Sequence, residues 1–527
     1  MRFKEAVNTG QKADETTVAD EALNDAQDLA QGALVNYLGM FAKVSKALFV
    51  ITAARFYGPG ELGLYFLAWT AVDIASKFGI WGLDRGLIRD IARHNVHASE
   101  QSRATIFGVL RFDFSLAFGL SLITVAVLFS SSTFISLHLF KDANLILPLR
   151  TLTFSLPLIV ISHMFISMTK ALRIMRYDVL IRQTLEPLIL LLVALVLIPF
   201  ELGAVGLAMA QVAASLVAAI SAAFAAFKEY RFLGWHTKPI PSSLKKEIIR
   251  YASPIAVMDF FYMSAARMDL ILVGGLINTA AVGVYGIAVE IISIIKRVRQ
   301  GFEPIYSPIV SDLYYNRQQE RLQRSYVIVT RWIMAGTLLP VVALVLFSRE
   351  LLSLFSEAAV EASVVLILLA CSHGIYGLFN ASENLLVMAG KSLLSAVLAA
   401  GMFMITIGVS VVLIPIYGME GAALGMLVAH VSISAVRLLY VYKSFGTHPF
   451  DVALIWPVTT AMMTAAMFGL LKFWLHADSV PVTIATLAIM VLTYTAIYFG
   501  GAREPEEKHF MAKLKNKLRR TSRAAES

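Results

Sequence analysis

Residues 187–227 read PLILLLVALVLIPFELGAVGLAMAQVAASLVAAISAAFAAF, with Glu201 the one charged residue among them. Apolar residues fill these runs without the period-2 or period-3.6 stripe that a half-solvated strand or helix shows. A bilayer core of ~30 Å is crossed by about 20 such residues. The stretch therefore reads as two membrane spans joined by a short turn at Ile198-Pro199-Phe200-Glu201. The same texture extends over the 527 residues, of which 58% are hydrophobic and 15% charged. Mean hydropathy is +0.71. That composition excludes a soluble multidomain enzyme, a disordered chain and a fibrous repeat.

Fourteen candidate spans follow, centred on Leu48, Ala71, Leu120, Leu158, Leu192, Val212, Ala265, Ala288, Val342, Ile367, Met404, Val431, Met463 and Met490. Polar tails over residues 1–31 and 502–527 flank them, and a basic linker over 229–250 lies between. With the N-terminus placed in the cytoplasm, thirty-five of the 45 basic residues fall on that side. Only Lys141, Arg349 and Lys472 fall in the opposite connections. By the positive-inside rule both termini are cytoplasmic and the span number is even. The net charge of +9 is thus mainly a topology signal, and nucleic acid is not an expected partner. The basic tail Lys508–Arg523 reads as a solvated helix on anionic headgroups. With one cysteine, Cys371, and no HExxH, GxxxxGK[ST] or well-placed GxGxxG, no metal or other cofactor is expected.

The chain also repeats itself. Gly63-x-Tyr65 and Ala68 match Gly283-x-Tyr285 and Ala288 at an offset of 220 residues, each at the start of the second helix of a six-helix set. Leu197-Ile198-Pro199 with Gly203-Ala204 echoes Leu413-Ile414-Pro415 with Gly421-Ala422. The expected fold is therefore an all-α polytopic membrane protein. Two six-helix lobes (32–228 and 251–443), related by a pseudo-two-fold along the membrane normal, are followed by two extra helices over 452–501.

About ten ionisable residues lie where lipid should be, each costing ~2.5–3.5 kcal/mol at mid-membrane if left facing hydrocarbon. They are Lys43, Lys46, Asp73, Lys77, Arg111, Asp113, Asp259, Arg267, Asp269 and Glu290. Nearly all belong to the first helices of each lobe, which implies a polar path between the lobes. Lys43 and Lys46 share a helix face and can present two cations to one anion. Lys43, Lys46, Lys77 and Arg267 are the candidates for a cationic substrate cavity. Asp73, Asp259, Asp269 and Glu290 are the candidates for ion coupling, although Asp73 and Lys77, four apart, could equally pair with each other. Arg111 and Asp113 read as interfacial groups. Glu186, His163, His373, Glu383 and His430 read as packing or helix-cap groups.

Residues 34–93, LVNYLGMFAKVSKALFVITAARFYGPGELGLYFLAWTAVDIASKFGIWGLDRGLIRDIAR, resemble the oligosaccharide-lipid flippases of the multidrug/oligosaccharidyl-lipid/polysaccharide (MOP) superfamily. Supporting pieces are Gly82…Arg89, the connection with Pro304, Ser307 and Pro308, and the turn Pro415…Gly418…Gly421. The resemblance implies a V-shaped transporter of the bacterial inner membrane that moves polyprenyl-diphosphate-linked oligosaccharides by alternating access. It implies H+ or Na+ as a coupling ion, membrane lipids and polysaccharide polymerase or export proteins as partners, and a monomer. Lysines on the first helix, where lipid II flippases are expected to carry arginines, tilt the reading towards exopolysaccharide, capsule or O-antigen units. The alternatives are a cation-coupled multidrug exporter of the same superfamily, a lipid II flippase, or a membrane-embedded glycosyltransferase.

Overall fold

A computed structural model of the protein describes residues 44–93, 100–172, 174–231, 240–475 and 480–501. Among them every element is helical. The first half contributes α1 (Val44–Thr52), α2 (Pro59–Ile80), α3 (Glu100–Phe134), α4 (Ser155–Ala171), α5 (Glu186–Leu197) and α6 (Gly203–Glu229). The second half contributes α7 (Ser242–Leu276), α8 (Thr279–Tyr315), α9 (Gln319–Leu346), α10 (Ser363–Leu378), α11 (Ser392–Tyr417) and α12 (Met419–Phe445). Helices α13 (Ile455–Leu475) and α14 (Val480–Gly500) close the described chain. Each expected span centre falls inside one of these helices. Eleven helices among the described residues are long and apolar enough to cross a bilayer. Helix α1 is described only from Val44, and α2 and α7 carry several charges. The tails and Lys43 lie outside the described residues. Within the expected 229–250 linker, Ser242–Arg250 are the first turns of α7.

The two halves repeat one packing scheme. In the first, α2 packs on α3 and α4, α3 on α4, α4 on α6, α5 on α6, and α1 on α5. In the second, α8 packs on α9 and α10, α9 on α10, α10 on α12, α11 on α12, and α7 on α11. Helices α13 and α14 lie against α9, outside this scheme. The opening stretch shows how such helices hold together without a hydrophobic drive between them. Ala204, Ala208, Ala214, Ala218 and Ala222 are buried along α6, and small residues let helices approach closely in lipid. Large apolar side chains turn outwards instead, as with Ile220 and Phe224 on α6 and Met404 and Val412 on α11.

The halves meet where the repeat motif predicts a special position. Helix α8 starts at Asn278, whose Oδ1 accepts from the Ala281 amide at 2.7 Å. Helix α2 starts with Pro59 in its first turn. The two helices then cross at their repeated glycines. A Cβ on Gly63 would strike the backbone of Thr279 and Gly283, and one on Gly283 would strike Pro59 and Gly63. The contact is reciprocal, as expected at a two-fold axis. Nearby, Thr279 Oγ1 donates to Asp142 at 2.6 Å and Arg55 donates to the Leu354 carbonyl at 2.8 Å. The lobes are therefore closed on this face, the one opposite the basic connections.

Gly283→Val should force the two backbones apart and destabilise the purified protein by about 1–3 kcal/mol. Gly60→Ala, with open space around its Cβ, should leave thermal unfolding in detergent unchanged. Equal melting of both variants would contradict the crossing.

Candidate functional site

Between the lobes, on the side of the basic connections, lies a cavity of about 760 Å³. Its walls are the ends of α2 and α4, the residues leading into α5, the middle of α7 and the start of α11. Cations on the wall are Lys77, Arg85, Lys170 and Arg182; acids are Asp84, Asp259 and Glu383. Lys170 and Arg182 converge on Asp178 at 3.1 and 3.8 Å. Lys77 makes no ion pair among the described residues. Asp73 instead turns across the seam to Arg267 on α7 at 3.1 Å, so the same-helix pair with Lys77 does not form.

The remaining mid-span candidates also find partners across the seam. Lys46 on α1 donates to Glu290 on α8 at 2.7 Å. This pair and Arg267–Asp73 are arranged alike. In both, a base on the first helix of one lobe meets an acid on the second helix of the other. Neither Lys46 nor Arg267, both expected on the wall of a cationic cavity, lines the large cavity; each is held by a carboxylate of the other lobe, and of the expected cations among the described residues only Lys77 stands on the wall. Asp259 does line it, but bound to Arg85 at 2.9 Å. Asp269 is buried, accepting from the Leu270 amide at 2.9 Å and the Tyr285 hydroxyl at 3.2 Å. The expected isolated acids Asp259 and Glu290 are thus both paired.

One flank of the cavity is latched by an amphipathic helix, Leu83–Arg93, between α2 and α3. Arg85, Arg89 and Arg93 recur every four residues and so share a face. They meet three residues of α7: Asp259, the Tyr251 ring at 3.8 Å, and Glu247 at 2.6 Å. Trp81 Nε1 adds a hydrogen bond to Ser253 at 3.1 Å.

Several groups read from sequence as packing or topology residues stand at the site. Glu383 on the cavity wall accepts from the Tyr262 hydroxyl at 2.7 Å and the Tyr376 hydroxyl at 3.0 Å, and pairs with buried Arg437 at 3.3 Å. His163 lines the same cavity. Lys296 and Arg299 were expected in a connection, but α8 continues to Tyr315 and carries them into the second lobe. There, with His373, Tyr376 and His430, they line a smaller chamber of about 130 Å³. The spacing of Ile292, Lys296, Arg299 and Glu303 along one helical face was the available signal. Arg111 forms no ion pair, and Asp113 is wholly buried with neither oxygen hydrogen-bonded among the described residues. No group of three or more His, Cys, Asp or Glu side chains among the described residues could hold a metal.

The model of the polysaccharide biosynthesis protein family matches residues 52–364, more than half of the chain. The chain belongs to that family. No curated protein sequence matches it. Solved structures that share this family member's fold include a flippase and transporters. A lipid II flippase, MurJ, in an inward closed conformation superposes with a TM-score of 0.66 at 14% identity, covering 88% of this chain and 99% of the flippase. An inward-facing multidrug resistance MATE family transporter of the MOP superfamily gives 0.62 at 15% identity, covering 79% and 98%. A MOP superfamily transporter from Pyrococcus furiosus gives 0.56 at 14% identity, covering 81% and 96%. The family model thus gives the family, and the solved structures show a fold shared with MurJ and with transporters of the MOP superfamily.

The reciprocal pairs can be tested by a double-mutant cycle on the melting of purified protein. Asp73→Asn and Arg267→Gln should each destabilise it. The double variant should lose less than their sum, with a coupling of about 0.5–3 kcal/mol. Strict additivity would show that the two side chains do not interact.

Proposed function

We propose that this protein is a flippase that carries polyprenyl-diphosphate-linked oligosaccharide repeat units, of exopolysaccharide, capsule or O-antigen, from the cytoplasmic to the outer leaflet of the bacterial inner membrane. The observation that carries the reading is the cation-lined inter-lobe cavity in a member of the polysaccharide biosynthesis family. The basic face is cytoplasmic and both termini lie there, in keeping with the lysine and arginine distribution. The protein acts as a monomer, on a substrate delivered by and returned to membrane lipid.

A diphosphate in the cavity is received by Lys77, since that ammonium has no competing acid in contact with it. Lys46 and Arg267 are held by Glu290 and Asp73. Lys43, outside the described residues, belongs to the same cationic set by its position on the first helix. Opening the opposite face requires α2 to leave α8, which pulls both cross-lobe pairs apart. The diphosphate can then replace the two carboxylates at Lys46 and Arg267. The freed Asp73 and Glu290, with Asp259 and Asp269, are the groups able to take up H+ or Na+. Separating a buried pair without such replacement leaves uncompensated charge and is strongly unfavourable. Substrate and coupling ion together thus lower the barrier to the outward-open state. A drug exporter of the same superfamily is the second reading, favoured only by the MATE fold likeness.

In cells relying on this protein, Lys77→Glu should cut surface polymer at least about tenfold while lipid-linked units accumulate inside, and Lys77→Arg should retain export. Lys46→Glu and Arg267→Glu should abolish export. Normal polymer output from all three charge-reversed variants would remove the phosphate role.

A further inference from the structure

The smaller chamber lies inside the second lobe, among α7, α8, α10, α11 and α12. Tyr262 and Ala266 line both it and the large cavity, so Tyr262, held by Glu383, stands as the partition between them. Every ionisable group on the chamber wall is basic or phenolic: Lys296, Arg299, His373, His430, Tyr262 and Tyr376. No carboxylate lines it.

Most of these groups are already engaged. Arg299 pairs with Glu303 at 2.7 Å. A ring nitrogen of His430 lies 2.8 Å from Ser372 Oγ, and Tyr376 donates to Glu383. Lys296 is different: among the described residues it makes no hydrogen bond and no ion pair. Asp269, on the neighbouring α7, turns its two oxygens to the Leu270 amide and the Tyr285 hydroxyl. An ammonium has three donors, and leaving all three without protein partners inside a membrane bundle is costly.

Each lobe carries on its second helix a lysine with no ion pair among the described residues, Lys77 and Lys296, and on its fourth a cavity-lining histidine, His163 and His373. The two lysines are not the same repeat position: at the 220-residue offset of the Gly-x-Tyr motif Lys77 aligns with Arg297.

We propose that the second-lobe chamber is a binding site for a single small oxyanion, a carboxylate or phosphate, received by Lys296 and admitted past Tyr262. Its volume of about 130 Å³ corresponds to about four waters at ~30 Å³ each, enough for such a group. The inference deepens the transport reading by adding a subsite for an acidic substituent of the glycan. A free anion shares that chemistry.

The test is calorimetric titration of the full-length protein in lipid nanodiscs with D-glucuronate, inorganic phosphate and uncharged D-glucose. Binding of glucuronate but not glucose assigns the chamber to an acidic sugar, and binding of phosphate alone assigns it to a free anion; both support the site. Lys296→Gln should weaken the bound anion at least tenfold, and Lys296→Arg should retain it. Ala265→Leu, which fills the chamber without touching the lysine, should block it as well. No anion bound by the wild-type protein, or affinity unchanged in Lys296→Gln and Ala265→Leu, overturns the proposal. Because binding needs no translocation, its failure leaves the flippase reading to stand or fall on export.

Discussion

The structure depends on one reciprocal seam. Two copies of a six-helix unit dock so that Gly63 and Gly283 meet at the axis, flanked by Lys46–Glu290 and Arg267–Asp73. Each contact needs its counterpart, because a two-fold arrangement pairs the first helix of one copy with the second helix of the other. A glycine crossing brings backbones together without a side-chain hinge, so the helices can separate and re-form the same surface. The ion pairs give the closed state its register, since a shift of α2 along α8 would strand four charges at once. Buried pairs of this type are weak sources of net stability but strong penalties against misalignment. That is the property a two-state seam requires.

The same arrangement explains how so many charges are tolerated in the membrane. Exposed to lipid, they would cost more than a folded protein's stability of about 5–15 kcal/mol. Pairing across the seam removes that cost only while the lobes are docked one way. Opening the seam therefore transfers the demand for counter-charge to something that arrives from outside. Under the proposed function a phosphate-bearing lipid head would satisfy the cations and a small cation the acids, which would link substrate and coupling ion through the same four side chains. The arginine face of Leu83–Arg93 does the corresponding work at the basic end. Its partners Glu247, Tyr251 and Asp259 are all on α7, so that latch can release as one helix moves.

Sequence legibility followed the range of the physics. Span positions were readable because membrane length and apolar run length are local quantities, and each expected centre lies in a helix. The duplication was readable because Gly-x-Tyr sits at a crossing that tolerates no other first residue. Pairing was not readable: Lys46 and Glu290 are 244 positions apart and meet only through docking. Proximity in sequence misled at Asp73 and Lys77, since a same-helix partner four residues away loses to Arg267 on a neighbouring helix. Lys296, Arg297 and Arg299 looked like a membrane boundary because clustered basic residues normally mark one. Helix α8 runs on to Tyr315, and its inner face carries Lys296 and Arg299 into the lobe. Glu383 was hidden by its setting in the short helix after Asn380, where an acid in the first turn reads as a cap. Its ligands come from 121 residues before and from Arg437 after.

Two lobes built on one packing scheme need not enclose their cations alike. Lys77 lines the large cavity between the lobes, whereas Lys296 lines the smaller chamber on the other side of Tyr262. The difference lies in what packs over each lysine. Around Lys77 the walls come from both lobes, through α2, α4, α7 and α11; around Lys296 they come from α7, α8, α10, α11 and α12 of the second lobe alone. The first space has about 760 Å³ and the second about 130 Å³, so a bulky charged head fits only between the lobes, while a small oxyanion fits either.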